Sequence, residues 1–309
     1  MRYRGAMVGP VLLQRLIMLS GKGGVGKTTL AALIARELAA SGQRVVLVTL
    51  DTRDIRHPIF EAPLDYKPQS VRPGLWVARV DPLSALIDYT RSRLPFGALY
   101  EPALRSRAVR DFTGALPGFD ELMLLGRLYN LTVELGFDRV VFDAPALGHL
   151  RQLLGVPGAM QRAMVSGPVR HVADRMAGLL FDPVRTVVLP VTLPEQMPVS
   201  ETLELIASCR DHFGMAVGPV LINRTHAPPF SPPEWAQVRA LGDSVRASQV
   251  LRDLIAEAEQ VMDQSAREAE ALMPLAAVGV DRIFFPERAT ADALLDDLAP
   301  ALATIRFVE

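Results

Sequence analysis

A glycine-rich loop between a short apolar run and a helical pattern constrains the fold of this chain more than any other feature. The loop reads Gly21-Lys22-Gly23-Gly24-Val25-Gly26-Lys27-Thr28-Thr29. An apolar run at 16–19 precedes it and a helical pattern at 28–40 follows it. This strand–loop–helix context is the one in which the pattern G-x-x-x-x-G-K-[ST] indicates phosphate binding. The alternative, a glycine turn that only starts a helix, does not require the lysine and the hydroxyl.

The residue types of this loop suit a nucleoside triphosphate. Glycines let successive backbone N–H groups approach a phosphate without hindrance from Cβ atoms, and the helix N-terminus adds its positive dipole end. Lys27 is predicted to bridge the β- and γ-phosphates, and the Thr28 hydroxyl to bind Mg²⁺. The cofactors predicted are therefore ATP and Mg²⁺. The loop residues expected at the nucleotide are Gly21, Gly23, Gly24, Val25, Gly26, Lys27, Thr28 and Thr29.

The rest of the chain alternates short apolar runs with helical patterns. The runs, rich in valine and isoleucine, lie at 16–19, 45–50, 75–80, 139–142, 186–189, 217–222 and 282–285. Strands that alternate with helices predict an α/β fold, a mainly parallel sheet wrapped by helices as in P-loop nucleotide hydrolases. A single domain over 1–309 is expected.

Long connections interrupt this alternation. The segments at about 82–137 and 151–183 carry helical periodicity, which predicts a helical insertion subdomain. A third excursion at about 234–272 follows a proline-rich loop and is predicted to be a charged helix over 238–271. Methionines and leucines in the insertions are predicted either to pack in the core or to line a groove for an apolar client helix. They are Met123, Leu124, Leu125, Leu128, Met160, Met164, Met176, Leu179 and Leu180.

Composition excludes several classes of protein. The 33 basic and 34 acidic residues nearly balance, so no nucleic-acid partner is expected. The single cysteine, Cys209, excludes an internal disulfide, a thiolate metal cage within one subunit and a share in a four-iron cluster. We therefore expect a cytoplasmic protein. The apolar start at 11–19 is interpreted as a strand because Gln14 and Arg15 interrupt it.

Lys22 is a second lysine that a plain phosphate loop does not need. With it, the motif resembles the deviant Walker A loop of the MinD/ParA/nitrogenase-iron-protein group. In that group the early lysine reaches across a dimer interface to the partner's nucleotide. The resemblance implies a catalytic role for Lys22 and two subunits that face each other, either a homodimer or a heterodimer with a paralogous ATPase. The alternative is a solvated lysine on the loop.

A second motif narrows the resemblance. Asp143-Ala144-Pro145-Ala146-Leu147-Gly148-His149 follows the apolar run at 139–142. It resembles the Asp-x-x-Pro-x-Gly-His element of the family that contains the arsenical-pump ATPase ArsA and the ATPases that target tail-anchored proteins. By this resemblance Asp143 holds Mg²⁺ directly or through water, and the Gly148 N–H senses the γ-phosphate. A strand-end aspartate satisfied by its own backbone is the alternative.

Asp51 follows the run at 45–50, where this family places the aspartate that orients the attacking water. A carboxylate near the γ-phosphate has the chemistry for that role. The family usually continues Asp-Pro-Ala-His, whereas this chain reads Asp51-Thr52-Arg53-Asp54-Ile55-Arg56-His57-Pro58. The departure leaves the rate of hydrolysis open, and a strand-capping aspartate is the alternative.

Two residues match the family's adenine-side positions. Asn223 follows the run at 217–222, and its amide can both donate and accept at the edge of adenine. Pro286 follows the run at 282–285. Both are also ordinary strand-end turn residues.

Three biological roles remain open. The first is a nucleotide-gated dimeric switch coupled to a client protein or membrane partner, and the second is the energy-coupling subunit of an anion exporter. The third, a positioning ATPase of the MinD/ParA kind, is disfavoured because the stretch 291–309 is acidic, unlike a basic membrane anchor. One cysteine also argues against an arsenite site and a shared Cys-x-x-C zinc site.

Overall fold

The computed structural model describes residues 11–12, 14–50, 57, 59–93, 100–115, 118–163, 165–242, 248–287 and 306–307. The strands are β1 (Val11–Leu12), β2 (Leu16–Ser20), β3 (Val45–Thr49), β4 (Gln69–Arg72), β5 (Leu75–Arg79), β6 (Arg139–Asp143), β7 (Thr186–Thr192), β8 (Ala216–Val217), β9 (Val220–Thr225), β10 (Arg282–Pro286) and β11 (Arg306–Phe307). The helices are α1 (Lys27–Ala40), α2 (Pro82–Arg93), α3 (Glu101–Leu104), α4 (Arg107–Gly114), α5 (Phe119–Tyr129), α6 (Leu147–Ala163), α7 (Pro168–Leu180), α8 (Gln196–Ala207), α9 (Pro232–Gly242), α10 (Gln249–Ala271) and α11 (Met273–Ala276).

Within these ranges the sheet has nine strands. Its order is β10-β9-β7-β2-β6-β3-β5-β4, and β8 pairs with β7. Only β4 pairs antiparallel, against β5, while a separate parallel pair joins β1 and β11. The central strands β2, β3 and β7 are buried along their whole length. This burial explains their continuous apolar sequences, since helices cover both faces of a parallel sheet. The predicted α/β fold is confirmed.

The two faces of the sheet have separate cores. Ile17 and Leu19 point to the side where α1 packs, together with Leu33. Leu16 and Met18 point to the other side, where α5, α6 and α7 pack. This division follows from the two-residue period of a strand. Strand β2 therefore anchors helices on both faces and holds the loop that follows it in a fixed place.

The helices within 82–137 and 151–183 pack on the sheet and on one another. Residues 82–137 form α2 to α5 and a π-helical turn at Asn130–Glu134, and residues 151–183 form most of α6 and all of α7. Six of the methionines and leucines considered above are buried in the core, namely Leu124, Leu125, Leu128, Met176, Leu179 and Leu180. Met123 and Met160 are partly buried against that core, and Met164 lies outside the described residues.

The structure corrects two boundaries in the second half of the chain. The single charged helix predicted over 238–271 is wrong: α9 ends at Gly242, and α10 starts again at Gln249. Ser248, in extended conformation, caps α10 by accepting a hydrogen bond from the Leu251 N–H, so no continuous helix passes through it. The strand predicted at 217–222 also divides, into β8 and β9, at Gly218-Pro219.

The structure also contains a strand that sequence periodicity did not reveal. β4 is polar and half-exposed, and it lies at the edge of the sheet. Within the described ranges, every helix is too short or too polar to cross a membrane.

Candidate nucleotide-hydrolysis site

The glycine-rich loop lies at the carboxyl end of β2, between β6 and β7. A Cβ atom on Gly21 would lie 2.0 Å from the Val191 carbonyl oxygen of β7. Gly26 has a φ of +92°, and a Cβ atom there would lie 2.3 Å from the Asn223 side-chain nitrogen. A larger residue would collide with backbone at Gly21, and at Gly26 it would need a left-handed conformation and a displaced Asn223 amide. The loop therefore requires glycine because its neighbours press against it, and this close packing fixes its path into α1.

Lys27 is folded back into the loop. Its Nζ donates hydrogen bonds to the backbone oxygens of Gly21, at 3.1 Å, and Lys22, at 2.8 Å. Burial lowers the pKa of the Lys27 ammonium, and the nearby Asp143 and Glu201 carboxylates partly oppose that shift. The loop thus holds a partly buried positive charge. An anionic ligand is attracted more strongly to such a charge than to one in water, because the local dielectric constant is lower.

Thr28 and Asp143 join the loop to the end of β6. The Thr28 hydroxyl donates a 2.5 Å hydrogen bond to Asp143 Oδ2. One hydroxyl and one carboxylate are typical protein ligands for Mg²⁺, which keeps several waters and shares phosphate oxygens. Among the described residues no group of three or more histidine, cysteine, aspartate or glutamate side chains is arranged to hold a metal ion. The pair fits a metal that is bound chiefly through the nucleotide.

The chain leaves β6 in a loop that is tied to the glycine-rich strand. The Ser20 hydroxyl donates a 2.7 Å hydrogen bond to the Pro145 carbonyl oxygen. Gly148 follows in the first turn of α6, where it is exposed. N–H groups in the first turn of a helix have no intrahelical acceptor. The Gly148 N–H is therefore available to an acceptor on a ligand.

Asn223 packs underneath the loop. Its Nδ2 donates a 2.9 Å hydrogen bond to the Val25 carbonyl oxygen, and Asn223 is 4% exposed. Its Oδ1 is buried and accepts no hydrogen bond from the described residues. An unsatisfied buried acceptor costs free energy until a donor reaches it. The exocyclic amino group of adenine has the required chemistry, so the residues present fit an adenine nucleotide.

Pro286 lies on the neighbouring strand. β9 and β10 are parallel, and Pro286 pairs with Thr225, two residues after Asn223. Arg224, between them, has a positive φ of 54°. The two predicted adenine-side residues thus meet at the carboxyl ends of adjacent strands.

Lys22 contacts α8 of its own chain. Its Nζ lies 3.6 Å from Glu201 Oε1 and hydrogen-bonds to the Met197 sulfur. Lys22 and Glu201 are both partly exposed, at 31% and 37% of their side chains. An exposed pair of this kind is worth less than about 1 kcal/mol, so the lysine is easily released.

Asp51 lies outside the described residues, as do residues 52–56. His57, a little further along, is 1% exposed, and its Nδ1 accepts hydrogen bonds from the backbone N–H groups of Ile59 and Phe60. Burial lowers the pKa of His57 to about 4. The ring is therefore neutral near pH 7 and holds the following turn as an acceptor.

Three residues of this region had no role predicted from the sequence: Ser20, Glu201 and His57. Ser20 could be recognised in the sequence as the polar residue at the end of an apolar run. The carbonyl oxygen that accepts its hydrogen bond, on Pro145, is 125 positions away. Glu201 likewise contacts a lysine 179 residues earlier in the chain. Only the fold brings such pairs together.

Several known proteins are similar to this chain in sequence. The family model described as anion-transporting ATPase matches residues 14–167. ATPase BagA of Mycobacterium tuberculosis is 31% identical over 248 residues, which cover 75% of this chain and 72% of that protein. The arsenical pump-driving ATPase of Escherichia coli is 36% identical over 195 residues, 62% of this chain and 32% of its own. ATPase ASNA1 homolog 1 of Paramecium tetraurelia is 29% identical over 152 residues, 48% of this chain and 45% of its own. This chain therefore belongs to the anion-transporting ATPase family and is an ATP-hydrolysing enzyme.

Proposed function

We propose that this ATPase is a Mg²⁺-dependent, nucleotide-gated dimeric switch coupled to a client protein or membrane partner. The glycine-rich loop binds the phosphates through its backbone N–H groups and Lys27. Asn223 and Pro286 flank the adenine. Thr28 and Asp143 would hold Mg²⁺, directly or through bound waters, and the ion would supply compensation for phosphate charge. Asp51 orients the attacking water.

Nucleotide binding requires Lys27 to change its hydrogen-bond partners. Lys27 has to exchange the backbone oxygens of Gly21 and Lys22 for phosphate oxygens. Because the lysine is already partly desolvated, this exchange carries only a small additional desolvation cost. The Thr28 hydroxyl can keep donating to Asp143 while a lone pair of its oxygen is directed at the cation. A bound nucleotide and its cation would therefore contact both the loop and the end of β6.

The observation that carries the proposal is the direct connection from this site to the helical insertions. Asp143 and Pro145, which contact Thr28 and Ser20, lead straight into α6. Helix α6 packs against α5 and α7, which belong to the same core. A change at Asp143 therefore displaces the first turn of α6 and is transmitted through packed helices.

Lys22 supports the dimeric part of the proposal. By family resemblance it contacts the nucleotide of the partner subunit. In this chain it rests on Glu201 and Met197 through weak, partly exposed contacts. We infer that nucleotide-driven association removes it from α8. The partner is a second copy of this chain or a paralogous ATPase.

Light scattering of the purified chain, with and without Mg·ATP, tests the proposal. We expect a monomer that becomes a dimer with Mg·ATP, and we expect Lys22→Ala to remain monomeric. Lys67→Ala, at an exposed lysine outside the site, is the matched control and should dimerise like the parent chain. A dimer that forms equally with Lys22→Ala would refute the role of Lys22. A monomer under all conditions would exclude the homodimer and direct the search to a paralogue.

An energy-coupling role in an anion exporter is the second candidate, favoured by relatives that are named arsenical pump-driving ATPases. Arsenite itself is poorly supported as its substrate. Cys209 is the only cysteine and is 1% exposed, and burial raises the pKa of its thiol to about 12. A buried, protonated thiol is a poor metalloid ligand. Stimulation of ATP hydrolysis by an oxyanion, in the absence of any client, would favour this candidate.

A further inference from the structure

A cavity of about 310 Å³ lies between α2, α5 and α7, away from the nucleotide loop. Its apolar wall includes Leu86 from α2, Leu122 and Met123 from α5, and Met176 from α7. An engineered apolar cavity of roughly 150 Å³ holds benzene. By that scale the cavity has room for about a dozen non-hydrogen atoms.

One end of the cavity carries a buried cation that is incompletely paired. Arg127 lines the cavity, and its side chain is only 4% exposed. It donates one hydrogen bond to Asn130 Oδ1, at 2.6 Å, and another to the Tyr66 carbonyl oxygen, at 2.9 Å. Its Nε is buried and has no acceptor among the described residues. The guanidinium also lies over the Tyr66 ring, 4.0 Å from the ring centre. A buried donor on a charged group is costly to leave unpaired, so a side-chain movement that lets an acceptor reach Nε would be stabilising.

Two carboxylates, Asp88 and Glu134, also line the cavity, and both are exposed. Asp88 lies 3.6 Å from the Arg127 guanidinium, but its side chain is 51% exposed and it accepts a hydrogen bond from the Tyr66 hydroxyl. Glu134 is exposed and accepts one from Asn130. A second cation, Arg175, also lines the cavity. Exposed carboxylates in water compensate a buried cation only weakly.

Arg175 contributes a second guanidinium to the lining of the cavity. Its guanidinium lies over the Tyr129 ring, 5.4 Å from the ring centre, and it forms no ion pair with any carboxylate in the part of the chain that the structure describes. It is half-buried. The cavity therefore combines an apolar pocket with two arginines that retain the capacity to bind an anion.

We propose that this cavity is a binding site for a medium-chain aliphatic carboxylate, with its head group at Arg127 and Arg175 and its chain between α2, α5 and α7. An eight- to ten-carbon chain matches the volume, and its one carboxylate would compete with the exposed Asp88 and Glu134 for the two arginines. The site lies on helices that the proposed switch would move, but binding to it requires neither ATP nor a dimer.

Isothermal titration calorimetry of the full chain with decanoate tests this site, with decanol and decylamine as matched neutral and cationic probes. We expect saturable binding of decanoate and weaker binding of the other two. Arg175→Leu should weaken decanoate binding by about tenfold or more and leave decanol binding in place, since a charge-assisted hydrogen bond is lost and the apolar wall is kept. Arg185→Leu, an exposed arginine on the loop before β7, is the matched control and should bind decanoate as the parent chain does.

Filling the cavity provides an independent test. Met123→Trp should abolish decanoate binding, and Leu86→Trp, on the opposite wall, serves if the first variant does not fold. Circular dichroism establishes that each variant is folded. The proposal is overturned if decanoate does not bind, if decanol or decylamine binds as tightly as decanoate, or if Arg175→Leu and a folded cavity-filling variant both bind decanoate normally. A chain that binds decanoate but never dimerises would refute the proposed switch and leave this site intact.

Discussion

Replacing the loop glycines with alanine separates backbone strain from steric contact. Gly23 has neither a positive φ nor any atom within 4 Å of an added Cβ, whereas Gly24 has a φ of +83° and equally open space. Gly26 combines a φ of +92° with the 2.3 Å approach to Asn223. Each substitution replaces one Cα hydrogen with a methyl group. Differences in unfolding free energy among the three variants therefore report the local structure at each position.

The expected losses of unfolding free energy follow from these geometries. Gly23→Ala should change stability by less than about 1 kcal/mol, since it mainly restricts the unfolded chain. Gly24→Ala should cost roughly 1–2 kcal/mol for a left-handed alanine. Gly26→Ala adds the loss of the buried Asn223–Val25 hydrogen bond, about 1–3 kcal/mol, so we expect roughly 2–5 kcal/mol in total.

Urea denaturation followed by circular dichroism, without nucleotide, measures the series. A double-mutant cycle of Gly26→Ala with Asn223→Ala should show coupling of about 1–3 kcal/mol, because both changes remove one shared bond. If Gly26→Ala unfolds at the same urea concentration as Gly24→Ala, or if the cycle is additive, the Asn223 contact does not stabilise the loop and the reasoning fails.

Three further predictions concern single residues. Asp51→Asn should keep ATP bound but slow hydrolysis by about 100-fold or more; turnover at the parent rate would remove the water-orienting role. Because the pKa of His57 is lowered from 6.5 to about 4, the unfolded chain takes up a proton that the folded chain excludes, so folding stability should fall by up to about 3 kcal/mol between pH 6.5 and pH 4. His57→Gln should flatten that part of the urea midpoint–pH profile, and an unchanged profile would contradict the assignment. Cys209 should react with iodoacetamide only in denaturant, and rapid labelling of the native chain would show that its thiol is accessible.

The order of strands and helices along the chain could be predicted from the sequence, because apolar periodicity is a local property. The runs at 16–19, 45–50 and 139–142 became β2, β3 and β6 with ends shifted by one residue. Edge strand β4 was missed because its residues are polar and alternate weakly. The break between α9 and α10 was missed because both halves are charged and the cap at Ser248 is a single residue.

The sequence alone predicted the chemistry of the loop, since its spacing and residue types are those of a phosphate-binding turn between a strand and a helix. It also placed Asp143 and Gly148 after a buried strand. The tertiary structure alone decided which distant groups complete the site. The Ser20 hydroxyl reaches Pro145, Asn223 reaches Val25, and Lys22 reaches Glu201, across separations of 125, 198 and 179 residues. Such contacts depend on the order of strands in the sheet, and no local sequence pattern specifies that order. The register of parallel strands is set by packing on both faces of the sheet at once, which is a property of the whole fold.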